Sequence, residues 1–273
     1  MRFSISFAFI AAAIATAQAA TVLEKRTVTL FPTNGKFDYQ LGGAYTPPSG
    51  TTIVTRDRTA APVAGIYNIC YINAFQTQPG SETTWWKNNY NSLLLKKSNG
   101  AYFEDPDWPG EVFLDTRTAA NRAAIANILN GWIDGCAAAG FKAIEPDNLD
   151  TFTRSNGLLT KANNLALAKL IADHAHSVNL AIAQKNTAEL GSSGKTAAGF
   201  DFAVVEECQQ YDECDDYTDV YGTNVLEIEY TDSKNYAKTF QAACSARGSS
   251  IPIILRDRDL VTPSQSGYHY EQC

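Results

Sequence analysis

The chain has 273 residues, and its 22 Lys and Arg stand against 29 Asp and Glu, a formal net charge of −7 at neutral pH. Phosphate backbones would be repelled by such a surface, so no nucleic-acid partner is expected, and a cationic partner is favoured instead. No apolar run beyond the N-terminus approaches the roughly twenty residues needed to span a bilayer, so no membrane partner is expected either.

In chain order, "MRFSISFAFIAAAIATAQAA" (1–20) has one early Arg2, an apolar stretch and a small-residue end, the layout of a secretory signal peptide. "TVLEKR" (21–26) follows, and its dibasic Lys25-Arg26 reads as the end of a short propeptide. Residues 27–273 are then one secreted domain. Six cysteines in such a chain point to disulfides. The spacing suggests Cys208 with Cys214 and Cys244 with Cys273, which leaves Cys70 and Cys136 to pair or to stay as buried thiols.

Eight short apolar runs with polar ends read as strands: "KFDYQLG", "IYNICYINAF", "EVFLDTR", "FKAIEPDNLD", "NLAIAQKN", "FDFAVVEECQ", "VLEIEY" and "IPIILRDRDL". Helical periods lie between them in "TAANRAAIANILNGWIDGCAAAG", "TKANNLALAKLIADHAHSVN" and "DSKNYAKTFQAACSARG", each starting near a Thr or Asp that can cap it. The segment 85–110 carries three of the four tryptophans and reads as a helix plus an elaborated loop near a barrel mouth. Alternating strands and helices imply a parallel sheet. Eight of them over about 250 residues imply an α/β (β/α)8 TIM barrel in a single domain.

Polar residues gather at the carboxyl ends of these runs: Gln40, Asn73, Asp115, Asp147 with Asp150, Asn186, Glu206 with Glu207, and Glu229. In a barrel that face builds the active site. Period-two alternation puts Glu145 and Asp147 on one face of the fourth run, and lets only one of Glu206 and Glu207 face the axis. Two carboxylates opposed across a barrel mouth equip it for glycoside hydrolysis. His174 and His176 lie on a predicted helix without H-E-x-x-H spacing, and His269 lies in the tail, so no metal and no cofactor are expected.

"FDYQLGGAY", "GFKAIEPDNLD", "AQKN" and "FAVVEECQQYDEC", from about Phe37 to Leu260, resemble the fungal secreted branch of glycoside hydrolase family 114, the endo-α-1,4-polygalactosaminidases. The resemblance implies a barrel that cuts α-1,4-linked galactosamine polymers. It implies Asp147 and Glu206 as catalytic pair, with Asp147 as nucleophile and Glu206 as acid/base in a retaining reaction. Asp150, Glu145, Asp115, Asn186, Tyr39, Gln40, Glu207 and Glu229 are the expected substrate-binding residues, the acids gripping ammonium groups and joined there by Asp38. The expected partner is a cationic galactosamine-containing polysaccharide, bound by a monomer. Rival readings are an inactive barrel that binds such a polymer, a hydrolase of another α-galactoside, and a purely structural barrel.

Overall fold

The computed structural model describes residues 28–273; the signal-peptide and propeptide expectations lie outside them. Eight parallel strands run in sequence order: β1 Lys36–Gln40, β2 Thr51–Asp57, β3 Tyr67–Asn73, β4 Ala143–Asp147, β5 Ala181–Lys185, β6 Phe202–Glu206, β7 Val225–Tyr230 and β8 Ile253–Arg256. A short ninth strand, β9 Tyr270–Gln272, pairs antiparallel with β8. The helices are α1 Ser81–Asn89, α2 Ala119–Ala139, α3 Thr151–Arg154, α4 Lys161–Ser177, α5 Cys208–Tyr211, α6 Cys214–Tyr221 and α7 Tyr236–Arg247. This is the expected TIM barrel, with one strand misread in the sequence. "EVFLDTR" makes only isolated bridges, Phe113 to Gln76, Leu114 to Leu94 and Val112 to Glu104, within the excursion between β3 and α2. The true second strand is "TTIVTRD".

Alternation sorts each strand into two cores. One set of side chains, including Phe37, Tyr39, Ile53, Ile69, Ala143, Ala181, Ala183, Val204 and Ile228, fills the barrel interior. The other set, including Cys70, Ile72, Ile144, Ile182, Ala203 and Val205, packs outward against α2 and α4. Phe31 closes the bottom, its ring edge-on to Phe202 at 5.3 Å and to Tyr67 at 6.0 Å.

Both long helices are capped as read. Thr118 accepts from the Asn121 amide and Gly140 ends α2 at φ 101°, a left-handed geometry that suits glycine. Thr160 and Asn163 form a reciprocal capping box on α4. Asp232 does not cap α7, whose N-cap is Asn235; its carboxylate pairs with Arg258 instead.

The ladder is not continuous between β8 and β1. Side chains seal that seam. The Arg256 guanidinium donates to the Tyr39 carbonyl and lies 3.2 Å from Asp38, and the Tyr270 hydroxyl of β9 donates to the Phe37 carbonyl at 2.8 Å. Disulfide Cys244–Cys273 ties the chain end behind β9 to α7. Cys70–Cys136 joins β3 to α2, and Cys208–Cys214 clips the turn after β6. No described helix is long and apolar enough to cross a membrane.

Candidate active site

The carboxyl ends of the strands open into a cleft of about 650 Å³. Three neighbouring strands build its floor by one rule. On each, alternate residues face the axis, and the last inward residue is polar: Asp147 on β4, Lys185 on β5 and Glu206 on β6. The next residue turns the chain sharply with a positive φ: Asn148 at 66°, Asn186 at 41° and Glu207 at 59°. Asparagine tolerates that region; glutamate does so less readily. Glu207 is held there by the Ser233 hydroxyl and by Arg258 at 2.9 Å. The turn leaves each preceding side chain pointing into the mouth.

Lys185, which the strand-end acids of the sequence do not announce, organises the floor. Its ammonium lies 3.2 Å from Glu206, 3.5 Å from Asp147 and 3.3 Å from Glu145, and donates to the Tyr39 hydroxyl at 3.0 Å. Burial alone would lower its pKa, but Asp147, Glu206 and Glu145 raise it well above the ordinary lysine value, so it stays charged. Two tyrosines grip the carboxylates from the sides. Tyr71 donates to Asp147 at 2.7 Å and Tyr230 donates to Glu206. Asp147 also accepts the Asn148 amide at 2.7 Å, and Glu206 accepts from Asn186 at 2.9 Å. Against the desolvation that would raise it, Lys185, Tyr230 and Asn186 hold Glu206 below the usual carboxylate range.

Asp147, Glu206, Asn186, Tyr39, Asp150 and Glu207 all line the cleft. Asp150 and Glu207 nevertheless have their charges taken, by Arg154 and Arg258 at 2.8 and 2.9 Å. The other expected contacts do not line it. Glu145 is fully buried beneath the floor, where it accepts from Tyr39 at 2.6 Å. Burial pushes its pKa up to about 7, opposed by Lys185 and Tyr39. Gln40 and Asp38 belong to the seam, bonded to each other and to Arg56 and Arg256. Asp115 is turned onto Arg117 at 2.7 Å, because its segment is not a barrel strand. Glu229, off the barrel axis on β7, accepts the Gln209 amide at 2.9 Å behind the cleft.

A further wall comes from the excursion after β3. Asp105, Asp107, Trp108 and Glu111 line the cleft there, with Asp105 paired to Arg154. Trp108 and, outside the excursion, Tyr211 are among the few large hydrophobic side chains left exposed, and both line the cleft. The other tryptophans of segment 85–110 do packing work: Trp86 is fully buried, and Trp85 stands edge-on to it.

In comparison with known proteins, no curated relative matches. Among solved structures, Ega3 of Aspergillus fumigatus in complex with galactosamine superposes with a TM-score of 0.71 at 25% identity, over 90% of this chain and 98% of that one. The glycoside hydrolase domain of PelA from Pseudomonas aeruginosa shares the fold, with a TM-score of 0.57 at 13% identity over 85% of this chain and 97% of that one. The model of glycoside-hydrolase family GH114 matches residues 16–273. The chain is therefore a member of glycoside-hydrolase family GH114, and its cleft is that of a glycoside hydrolase.

Proposed function

We propose that this protein is a secreted, endo-acting hydrolase of α-1,4-linked galactosamine polymers. The observation that carries the reading is the carboxylate pair Asp147 and Glu206, held across one ammonium group at the floor of the cleft. The likeness to Ega3, solved with galactosamine, supports the sugar, and three disulfides suit an extracellular location.

Asp147 attacks the anomeric carbon and Glu206 protonates the departing oxygen, then activates the water that releases the product. Lys185 keeps the two acids apart in charge and fixed in place. The carboxylate oxygens that face that ammonium are separated by no more than their 3.5 and 3.2 Å contacts to it laid end to end. Retaining enzymes space their carboxyls about 5–5.5 Å apart and inverting ones about 6.5–9.5 Å; that upper bound reaches only the short end of the inverting range, which supports retention.

One observation favours exchanged roles, with Glu206 attacking: its depressed pKa suits a nucleophile better than a proton donor. Azide distinguishes the two. A glycosyl azide formed with retained configuration by the acid/base variant alone identifies Glu206 as acid/base if it comes from Glu206→Ala, and reverses the roles if it comes from Asp147→Ala.

The activity itself is tested with partly deacetylated α-1,4-galactosamine polymer. Release of soluble oligosaccharides of several lengths is the expected result. Binding without release would make the protein a polysaccharide-binding barrel, and cleavage confined to neutral galactosides would make it a different hydrolase.

A further inference from the structure

Most acids on the cleft already have a cation. Asp147 and Glu206 share Lys185, Asp105 and Asp150 share Arg154, and Glu207 has Arg258. Asp107 and Asp259 stand on the exposed rim, where water weakens any grip they have.

Glu111 differs from all of these. It is only partly exposed, lines the cleft and makes no ion pair among the described residues. Two amides fix one of its oxygens: Gln76 donates to Oε2 at 2.6 Å and Asn73 at 3.1 Å. Its Oε1 has no protein partner among the described residues.

The same Asn73 connects Glu111 to the reacting centre. Asn73 sits opposite Asp147 in the β3–β4 register. Its Oδ1 accepts from the Asn148 side chain at 2.8 Å, and the Asn148 backbone amide donates to Asp147 at 2.7 Å. One linked pair of asparagines therefore touches both carboxylates, Asp147 through the Asn148 backbone amide and Glu111 through the Asn73 side chain.

We infer that Glu111 receives the 2-ammonium group of the sugar undergoing attack and so sets the preference for galactosamine over N-acetylgalactosamine. This rests on the galactosamine-polymer reading above. C2 is bonded to the anomeric carbon, so its substituent cannot lie far from Asp147. An ammonium there gives Glu111 the cation that the protein withholds, through a charge-assisted hydrogen bond. An acetamide offers no charge, and seating it strips water from a carboxylate that stays unpaired. Burial already pushes the Glu111 pKa up to about 7 despite the two amides, with Asp147 and Asp105 adding the smaller part of the rise, which marks a carboxylate short of solvation.

The test is titration of the wild-type protein, Glu111→Gln and Glu111→Asp with galactosamine and with N-acetylgalactosamine, followed by NMR. Wild type is expected to bind galactosamine at least tenfold more tightly. Glu111→Gln keeps an acceptor for Gln76 and Asn73 but loses the charge, and the ratio should fall to near one; Glu111→Asp, which keeps the charge, should retain part of it. No preference in wild type, or a preference unchanged in Glu111→Gln, overturns the inference. If the preference follows Glu111 while the polymer is not cleaved, Glu111 still binds the amine, but the hydrolase reading fails and with it the place of that amine on a sugar under attack.

Discussion

Two buried ionic networks lie a few residues apart in this barrel, and they are built on opposite principles. At the seam, Arg256 meets Asp38 and Asp257, Arg56 donates to Gln40, which donates in turn to Asp38, and the Tyr45 hydroxyl donates to Asp38 as well. Two cations meet two anions there, and none of the five charged or amide side chains leaves a buried polar atom without a partner. At the floor, a single Lys185 faces Glu145, Asp147 and Glu206, and Glu145 keeps one buried oxygen unsatisfied. The balanced network holds two strands together where the ladder fails. The unbalanced one keeps negative charge under tension, which is what a site needs if its acids are to exchange protons with a substrate.

Breaking the floor should have the largest effect. Lys185→Met leaves three carboxylates facing one another, and activity on galactosamine polymer is expected to fall a hundredfold or more, the scale of removing an electrostatic stabiliser. Stability should fall too, by about 3–5 kcal/mol, since the remaining buried charges are uncompensated. Thermal melts and initial rates on one preparation read both.

Breaking the seam should separate the two quantities. Arg256→Met is expected to lose about 3–5 kcal/mol of stability, because Asp38 is left buried without its cation. The rate per folded molecule should stay within a few-fold of wild type. A hundredfold loss per folded molecule would mean that the seam belongs to the catalytic machinery after all.

A smaller effect sharpens the contrast from a third buried acid. Burial pushes the Glu229 pKa up to about 8, above the roughly 4.3 of an unfolded chain. The folded state therefore holds an extra proton between these values, and its contribution to stability is lost as pH rises through about 8. Glu145 and Glu111 shift in the same direction, so the comparison is made pairwise. The melting temperature of Glu229→Gln should fall less than that of wild type between pH 5 and 8.5.

How much of this was legible in the sequence follows from which partners were local. Helix caps at Thr118 and Thr160 and the disulfide partners Cys208 and Cys214 are close in the chain, and their residue types announce them. Strand pairing is not local. "EVFLDTR" reads as a strand by composition and "TTIVTRD" does not stand out beside it, yet one replaces the other without changing the count, so "EPD" and "VVE" still end the fourth and sixth strands. Glu145 and Asp147 were correctly put on one face by alternation, but alternation does not say how deep a residue lies, and Glu145 ends under the floor. Gln40 and Asp38 look like site residues at a strand tip; only the missing β8–β1 ladder explains their use in the seam. Lys185 was within reach: Ala181, Ala183 and Lys185 alternate as Ala143, Glu145 and Asp147 do, and both strands end in a residue followed by Asn. Glu111 carried no such signal, since its place depends on how the excursion after β3 folds back.

The most direct test of the central claim compares wild type, Asp147→Asn and Glu206→Gln for oligosaccharide release from partly deacetylated α-1,4-galactosamine polymer, with melting temperatures taken alongside. Each substitution removes a charge from a floor that has too many, so the account predicts a loss of a hundredfold or more in rate with melting temperatures equal to wild type or higher. Rates within a few-fold of wild type in either variant would contradict it, and would move the chemistry away from the carboxylates that Lys185 holds.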